Sequence, residues 1–474
     1  MAAGCFGGSR PQKAPGSALW VTADSGDFSA AAQSRLAALG LKEIYLEAAD
    51  LEWHGALELR RLARPKVPPR TPTTLVIRGR WMPGDRPPAA LADSLHAAVT
   101  ALRLEAEKDG MRVVGYHFEI EPEHSAESLG KTLGRLRTLL GSQYFVSAGL
   151  GRDALAGEAA QVIADSVDYV VSMIYGQRPG EASEDPKAWD LEAVEANCRR
   201  LEALRRPYFS GAITVGSALW RPRGGEEKIT TALSLGELIQ SKNLELKPGF
   251  SLQGIDRQVW EFVARGPAAV GTWRLATGDT IRVVRTATPF LEEFRRRLGA
   301  GESTHRLGDV FYRLRREDER LSLSVDNLAD VLAPEAAAPV LDLTVEKVSA
   351  GGNRWLVKVG IANRSSENTD LAYFDSNFVQ LQVAGATIGE VNPGGFQRGE
   401  RFVDGEKGTM RAFREANAVR LYLPLLEEGQ EVASGNVELK LTERSPTLTI
   451  SASFLLADGR ALTIEPRDWQ FEKP

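Results

Sequence analysis

Between residues 17 and 300 the hydrophobic pattern switches repeatedly between two periods. Short apolar or alternating runs predict strands at Ser17–Thr22, Lys42–Glu47, Thr74–Arg78, Arg112–Glu119, Tyr144–Ala148, Val167–Met173 and Pro207–Ile213. Between them, apolar residues recur every three or four positions, the spacing of an amphipathic helix. Those stretches are Ala30–Leu39, Leu91–Lys108, Leu129–Leu140, Gly157–Ala164 and Leu191–Leu204. Further strands are expected at Val259–Val263 and Ala269–Trp273, and Thr288–Leu298 closes the unit as a helix. Eight such repeats predict a (β/α)8 TIM barrel over 17–300, close to the usual size of about 250 residues. The alternative, an open doubly wound sheet, lacks a Gly-rich phosphate loop after an early strand.

After Gly299 the pattern changes. A charged run, Arg313–Arg320, and an Ala/Pro stretch, Ala333–Pro339, predict a helical bridge and linker over 301–339. From 340 to 474, short alternating runs separated by turn residues such as Gly351-Gly352-Asn353 predict a C-terminal β-sandwich domain.

One strand departs from the rule that cores are apolar. Val113-Val114 opens it as a buried run, and His117, Glu119 and Glu121 then share one face opposite Tyr116, Phe118 and Ile120. Pro122 ends it. Charged groups beside a core are costly unless a task or a partner holds them. In a parallel barrel the C-terminal strand ends are where active sites lie. Carboxylates at i and i+2 are about 6–7 Å apart at their Cα atoms, and like charge raises one pKa, which suits a general acid. A second carboxylate is available after the second strand, at Glu47 or Asp50. Trp20, Trp81, Tyr175 and Trp273 fall at or near strand ends, where ligand pockets use aromatics.

Composition narrows the classes. The 474 residues, 43% hydrophobic and 26% charged, are those of a globular chain of two or three domains. A net charge of −5 with interspersed signs leaves no nucleic-acid footprint. No apolar run approaches the ~20 residues that span a bilayer. His54, His96, His117, His124 and His305 show no metal-ligand spacing, so neither metal nor cofactor is expected. Cys198 sits in a helical pattern and reads as a small buried hydrophobe. Cys5 follows Ala2-Ala3-Gly4 and precedes a Gly/Pro/Ser-rich stretch, as in a bacterial lipobox with its tether. That predicts a leader and tether over 1–16, lipidation at Cys5, and a place at the bacterial envelope, periplasmic or at the outer membrane, with the membrane met only through the lipid.

The run Val114-Gly115-Tyr116-His117-Phe118-Glu119-Ile120-Glu121 resembles the strand-four signature of family 18 chitinases, Asp-Gly-x-Asp-x-Asp-x-Glu. Met173-Ile174-Tyr175 resembles that family's Met-x-Tyr strand end, and Gly271-Thr272-Trp273 its late tryptophan. In order and spacing the chain is also similar to the bacterial domain of unknown function 3142 family, with a Gly-x-Gln-x-Asp-x-Asp strand. The resemblance implies a glycoside hydrolase-like barrel that takes a polysaccharide or glycan. It implies Glu121 as general acid, Glu119 as its partner, Tyr175 contacting the reacting sugar, and Met173 and Trp273 in the sugar pocket. Val114, His117 and Glu119 replace the three Asp residues, so cleavage assisted by the substrate N-acetyl group is not implied. The alternative is a non-catalytic carbohydrate-binding or scaffold lipoprotein on a degenerate barrel.

Overall fold

A computed structural model describes residues 12–25, 30–54, 56–121, 126–151, 157–173, 191–247, 259–285, 288–300, 303–316, 318–332, 340–365, 368–369, 375–404, 406–407, 415–443, 445–456 and 460–471; of Glu121 and Met173 the backbone alone is described. Cys5 and Tyr175 lie outside these residues.

The first strands are β1 (Ala18–Val21), β2 (Glu43–Trp53), β3 (Leu57–Arg61), β4 (Pro72–Arg80), β5 (Arg112–Glu121), β6 (Phe145–Gly149), β7 (Tyr169–Met173) and β8 (Tyr208–Ile213). Helices α1 (Ala30–Ala38), α2 (Pro88–Lys108), α3 (Ala126–Leu139), α4 (Glu158–Ser166) and α5 (Leu191–Ala203) alternate with them. All but β3 pair in parallel, and β3 is a hairpin return against β2. The sheet closes because β1 pairs with β2 on one side and with a late strand, Arg306–Tyr312, on the other. The result is an eight-stranded parallel barrel with helices between its strands.

Side-chain alternation sorts the barrel into two layers. Tyr116, Phe118 and Ile120 of β5 point outward into a core with Leu95, Val99 and Leu102 of α2 and Leu129, Leu133 and Leu136 of α3. Burying an apolar side chain of this size contributes about 1.5–3 kcal/mol. The inner layer holds Trp20, Tyr45, Val76, Tyr169, Val171, Phe209 and Val310.

The closing strand corrects the sequence reading. Next in the chain come β9 (Ser217–Arg221), β10 (Lys228–Thr230), α6 (Leu235–Gln240), β11 (Leu244–Leu246), β12 (Val259–Ala264), β13 (Ala268–Val270), β14 (Trp273–Leu275) and β15 (Thr280–Val284). They form an antiparallel five-stranded sheet, β10-β9-β15-β12-β11, and a two-stranded ribbon, β13-β14. The strands from β12 to β15 are joined by turns too short for a parallel crossover, which needs a dozen residues or more. They are hairpins, and 259–273 supplies no barrel strand. The eighth strand, β16 (Arg306–Tyr312), follows α7 (Thr288–Ala300) and lies inside the stretch expected to be a helical bridge; only α8 (Val325–Leu332) is α-helical there among the described residues. The barrel expected over 17–300 therefore ends later and is interrupted.

Two compact units result. The first comprises residues 1–183, 187–216 and 291–329; the second comprises 184–186, 217–290 and 330–474. In the second, β17 (Leu341–Gly351), β18 (Arg354–Asn363), β19 (Phe378–Ala384), β20 (Ala386–Val391), β21 (Arg398–Val403), β22 (Glu406–Lys407), β23 (Ala418–Tyr422), β24 (Glu431–Ala433), β25 (Val437–Leu441), β26 (Thr447–Leu455) and β27 (Ala461–Gln470) form two antiparallel sheets. Val357, Val359 and Ile361 from one and Leu381, Leu421 and Ile450 from the other share a single apolar core. In β26 burial alternates residue by residue, the period of a strand with one wet face.

Candidate functional site

The C-terminal mouth of the barrel collects polar side chains from five strands. Inward positions recur every second residue, so the parity set by Val76 also turns Arg78 inward, and that set by His117 turns Glu119 inward. Parallel register then places Asp50, Arg78 and Glu119 side by side, with His117 beside Val76 and Ser147 one layer deeper.

His117 is fully buried. Its Nδ1 lies 3.0 Å from Ser147 Oγ and its Nε2 3.1 Å from Glu119 Oε2. The rings of Trp20 and Tyr45 meet it edge-on at 5.4 and 5.5 Å. Glu119 is 37% exposed, so its carboxylate bridges the buried imidazole and the open mouth. The space it occupies is provided by Gly149 of the neighbouring strand: a Cβ there would stand 1.9 Å from Glu119 Oε2.

Glu47 is only 2% exposed. It accepts hydrogen bonds from the Trp20 indole N–H (3.2 Å) and the Ala23 backbone N–H (3.2 Å), and pairs with Arg78 Nη1 at 2.9 Å. Burial raises its carboxyl pKa above the ordinary value, and Arg78 and the two donors oppose that only in part. Arg78 also donates to Asp50 Oδ1 at 3.2–3.3 Å. Tyr312, at the end of β16, is half-buried with its ring 5.5 Å from Trp20. Burial first, and then the charges of Glu47 and Glu119, push its phenol pKa up, so it stays an O–H at any working pH.

Trp20, Glu47, His117 and Glu119 are therefore brought together. Glu121 ends β5 with its backbone opposite Arg80, and its side chain lies outside the description. The same holds for the Met173 side chain, at the end of β7. Trp20 is 1% exposed and stacked on Tyr45 at 5.7 Å, so it offers no free face to a sugar; its N–H holds Glu47 instead. Trp81 has the outward parity and packs in the helix-side core against Trp53. Trp273 lies on β14 of the second unit against Trp220, because its segment is a hairpin and not a barrel strand. Arg78, Ser147 and Tyr312 were missed. The inward parity of Thr74, Val76 and Arg78 was a usable signal for the first. Among the described residues no group of His, Cys, Asp and Glu is arranged to hold a metal. Cys198 is a buried free thiol, its pKa raised by burial.

Chemically, the mouth offers one buried carboxylate neutralised by a guanidinium, one half-exposed carboxylate tied to an imidazole, and a phenol.

No family model and no curated protein matches the chain. Among solved structures it is similar to the spore cortex-lytic enzyme SleL of Bacillus cereus, at 15% identity and a TM-score of 0.42 over 68% of this chain and 74% of that one. It is similar to the chitinase ChiA74 of Bacillus thuringiensis, at 10% and 0.44 over 97% and 84%. It is also similar to a family 18 chitinase of Cycas revoluta solved in complex with (GlcNAc)3, at 13% and 0.37 over 68% and 98%. The neighbours so found include chitinase-like glycoside hydrolases.

Proposed function

We propose that this chain is a glycoside hydrolase-like protein that binds and cleaves a bacterial polysaccharide at the barrel mouth, with Glu121 as general acid and Glu119 as its partner. The observation that carries the reading is the state of Glu119. A carboxylate serving only to hold the fold would be buried against arginine, as Glu47 is against Arg78. Glu119 instead reaches the open mouth from a buried imidazole, in a space that Gly149 leaves for it. Glu47 and Arg78 form the electrostatic floor beside it, and Tyr312 is the half-buried aromatic ring of the mouth. The lipobox-like Ala3-Gly4-Cys5 supports a protein anchored at a bacterial envelope, where such polymers are found; mass spectrometry of Cys5 in the native host tests that part, and an unmodified thiol rejects it.

The second reading, a carbohydrate-binding protein without turnover, is favoured by one feature: Glu47 and Arg78 neutralise each other, as a static network does. Incubating purified protein with a panel of bacterial exopolysaccharides and wall glycans, with Glu121→Gln alongside, separates the two. Turnover by the wild type that Glu121→Gln loses supports the hydrolase. Binding of a glycan with no new reducing ends supports the second reading.

A further inference from the structure

The loops that precede the parallel strands make up the N-terminal end of the barrel, the face opposite the mouth. In a chain of net charge −5 that end is basic. Among the described residues of these loops, Lys42, Arg64, Lys66, Arg70, Arg205 and Arg206 stand against Asp109 and Asp168. Lys42, Lys66, Arg70 and Arg205 are exposed, whereas Asp168 is buried against Arg137. The 62–71 loop carries three of the cations. The β3 hairpin stops partway back along β2, where Leu62 N–H donates to the Ala48 carbonyl, so the chain needs this loop to return to the start of β4. Pro65, Pro68 and Pro69 fix its course without backbone donors. A cavity of about 460 Å³ opens between the loop and Asp109–Met111 after α2. Arg64 lines it. Its Nη2 donates to Asp109 at 2.8 Å, and its Nη1 is buried with no hydrogen-bond partner among the described residues. A buried donor left unmatched is costly, and an acceptor oxygen brought to the cavity would complete it.

The chain enters the barrel at this same end. Gly16 N–H donates to the Leu307 carbonyl at 2.9 Å, and Lys42 N–H to the Ser17 carbonyl at 2.9 Å. Gly308 makes room for this crossing, since a Cβ there would stand 2.1 Å from the Gly16 oxygen. The Lys13 side chain is only 9% exposed, paired with Glu43 and set over the rings of Phe145 and Tyr169 at 4.8 and 5.1 Å. A buried ammonium with its carboxylate is hard to withdraw, because each would leave the other's charge unpaired. Lys13 therefore pins the segment to the barrel. It lies eight residues after Cys5, a reach of at most about 29 Å when fully extended.

We propose that the N-terminal end of the barrel is a docking face for anionic phospholipid, with Arg64 taking a headgroup phosphate oxygen at the cavity, so that the barrel sits with its mouth turned away from the membrane. Charge picks the occupant: a basic end on an acidic chain is drawn to an anionic surface and not to a neutral one. The pinned entry of the chain brings a lipid at Cys5 to that same end. One acyl chain binds a bilayer only marginally, and a basic patch is a second attachment that makes it hold. The orientation rests on the reading of Cys5 as the lipidated residue; the affinity of the face for the lipid does not.

The test uses the full chain without a lipid, sedimented with phosphatidylcholine vesicles that contain or lack phosphatidylglycerol. Binding is expected only where phosphatidylglycerol is present, and is expected to fall as salt is raised. Each cation near an anionic surface is worth about fivefold in partition. Lys42→Glu, Lys66→Glu and Arg70→Glu together should thus lose on the order of 10²-fold. Lys228→Glu, Lys242→Glu and Lys440→Glu, three exposed positions of the second unit with the same change of net charge, should keep the binding. Equal loss in both triple variants, or equal binding to both kinds of vesicle, overturns the face. Arg64→Lys keeps the charge and gives up the fork that reaches Asp109 and a phosphate together, so a loss of about tenfold is expected, the equivalent of one hydrogen bond to a charged group. An unchanged Arg64→Lys removes Arg64 from the contact. On phosphatidylglycerol vesicles, amide hydrogen exchange is expected to slow in 62–71 and 204–207 and to stay unchanged at 81–87, beyond the C-terminal end of β4. Slowing at 81–87 instead reverses the orientation and overturns the proposal, as does a protein that binds soluble polyphosphate but no vesicle. An unmodified Cys5 in the native host with protected loops on vesicles leaves the face standing and removes the anchor. A lipidated Cys5 with no protection leaves the anchor standing and removes the face.

Discussion

The interior of the barrel and the core of the C-terminal sandwich are built on opposite rules. Leu381, Leu421, Ile450 and Phe454 are fully buried in a core made of apolar residues from two sheets. Inside the barrel, Glu43, Glu47, His117, Ser147 and Tyr169 are as deeply buried, and each has a polar partner: Lys13 pairs with Glu43, Arg78 with Glu47, Ser147 with His117, and Tyr45 donates to Tyr169. An apolar core gains from water exclusion alone. A polar interior gains little net stability from its bonds, yet losing one partner leaves a buried group unsatisfied. The sandwich is therefore a place where substitutions act on stability. The barrel interior is one where they act on charge and orientation.

The largest effect that would sharpen this contrast lies at the mouth. Glu121→Gln is expected to lower glycan turnover by about 10²–10⁴-fold, the usual contribution of a positioned acid, with the melting temperature little changed. Glu119→Gln is expected to lower turnover and also to move the pH profile, because it removes the charge next to the acid. Wild-type turnover by both variants in an assay of reducing ends would break the comparison at its functional end.

Next in size is the sandwich. Leu421→Ala removes a fully buried side chain from the shared core and is expected to cost about 2–5 kcal/mol in denaturant unfolding. The same variant should leave the kinetics of any folded fraction unchanged. A loss below 1 kcal/mol would mean that this core is looser than its burial implies.

Smaller again is Gly149→Ala. The added methyl takes the place of the Glu119 carboxylate, so Glu119 must swing away from His117. Displacing a reacting group by about 1 Å can cost on the order of 10²-fold in rate. The expected outcome is a loss of up to that order in kcat, with stability nearly kept. An unchanged rate in the folded variant would show that Glu119 does not work from this position.

How much of this was legible in the sequence differs between the same two regions. The alternation in β5 announced His117 and Glu119 on one face and Tyr116, Phe118 and Ile120 on the other, because a two-residue period is a local property. The seven strands from β1 to β8 that follow the strand–helix rhythm were readable for the same reason. The eighth was not. Arg306–Tyr312 is followed at once by charged residues, which suggested a bridge, while the hairpins from β12 to β15 offered more regular apolar runs. Only pairing decides between them, and pairing is a long-range matter; the short turns at 265–267 and 276–279 were the one local warning. Trp20 shows the same limit at the scale of a side chain. Its strand could be read, but its burial between Tyr45, His117 and Tyr312 depends on three other strands.

The smallest expected effect concerns Glu47, and it turns on sign. Burial raises its carboxyl pKa above the ordinary 4.5 in spite of Arg78. The folded protein therefore binds this proton more readily than the unfolded chain does. For a raised carboxyl the cost of the charge is present in full above the folded value and is relieved as pH falls toward 4.5. Wild type should thus gain stability relative to Glu47→Gln as pH is lowered from 7 toward 5, since the amide cannot titrate and the remaining groups are common to both proteins. Melting temperatures of the two at pH 7, 6 and 5 measure this directly. The opposite slope would mean that Arg78 and the Trp20 N–H outweigh burial. Glu47 would then be a stabilising ion pair, closer in kind to the static reading of the mouth, and Glu119 alone would carry the contrast between a barrel interior arranged for charge and a sandwich core arranged for packing.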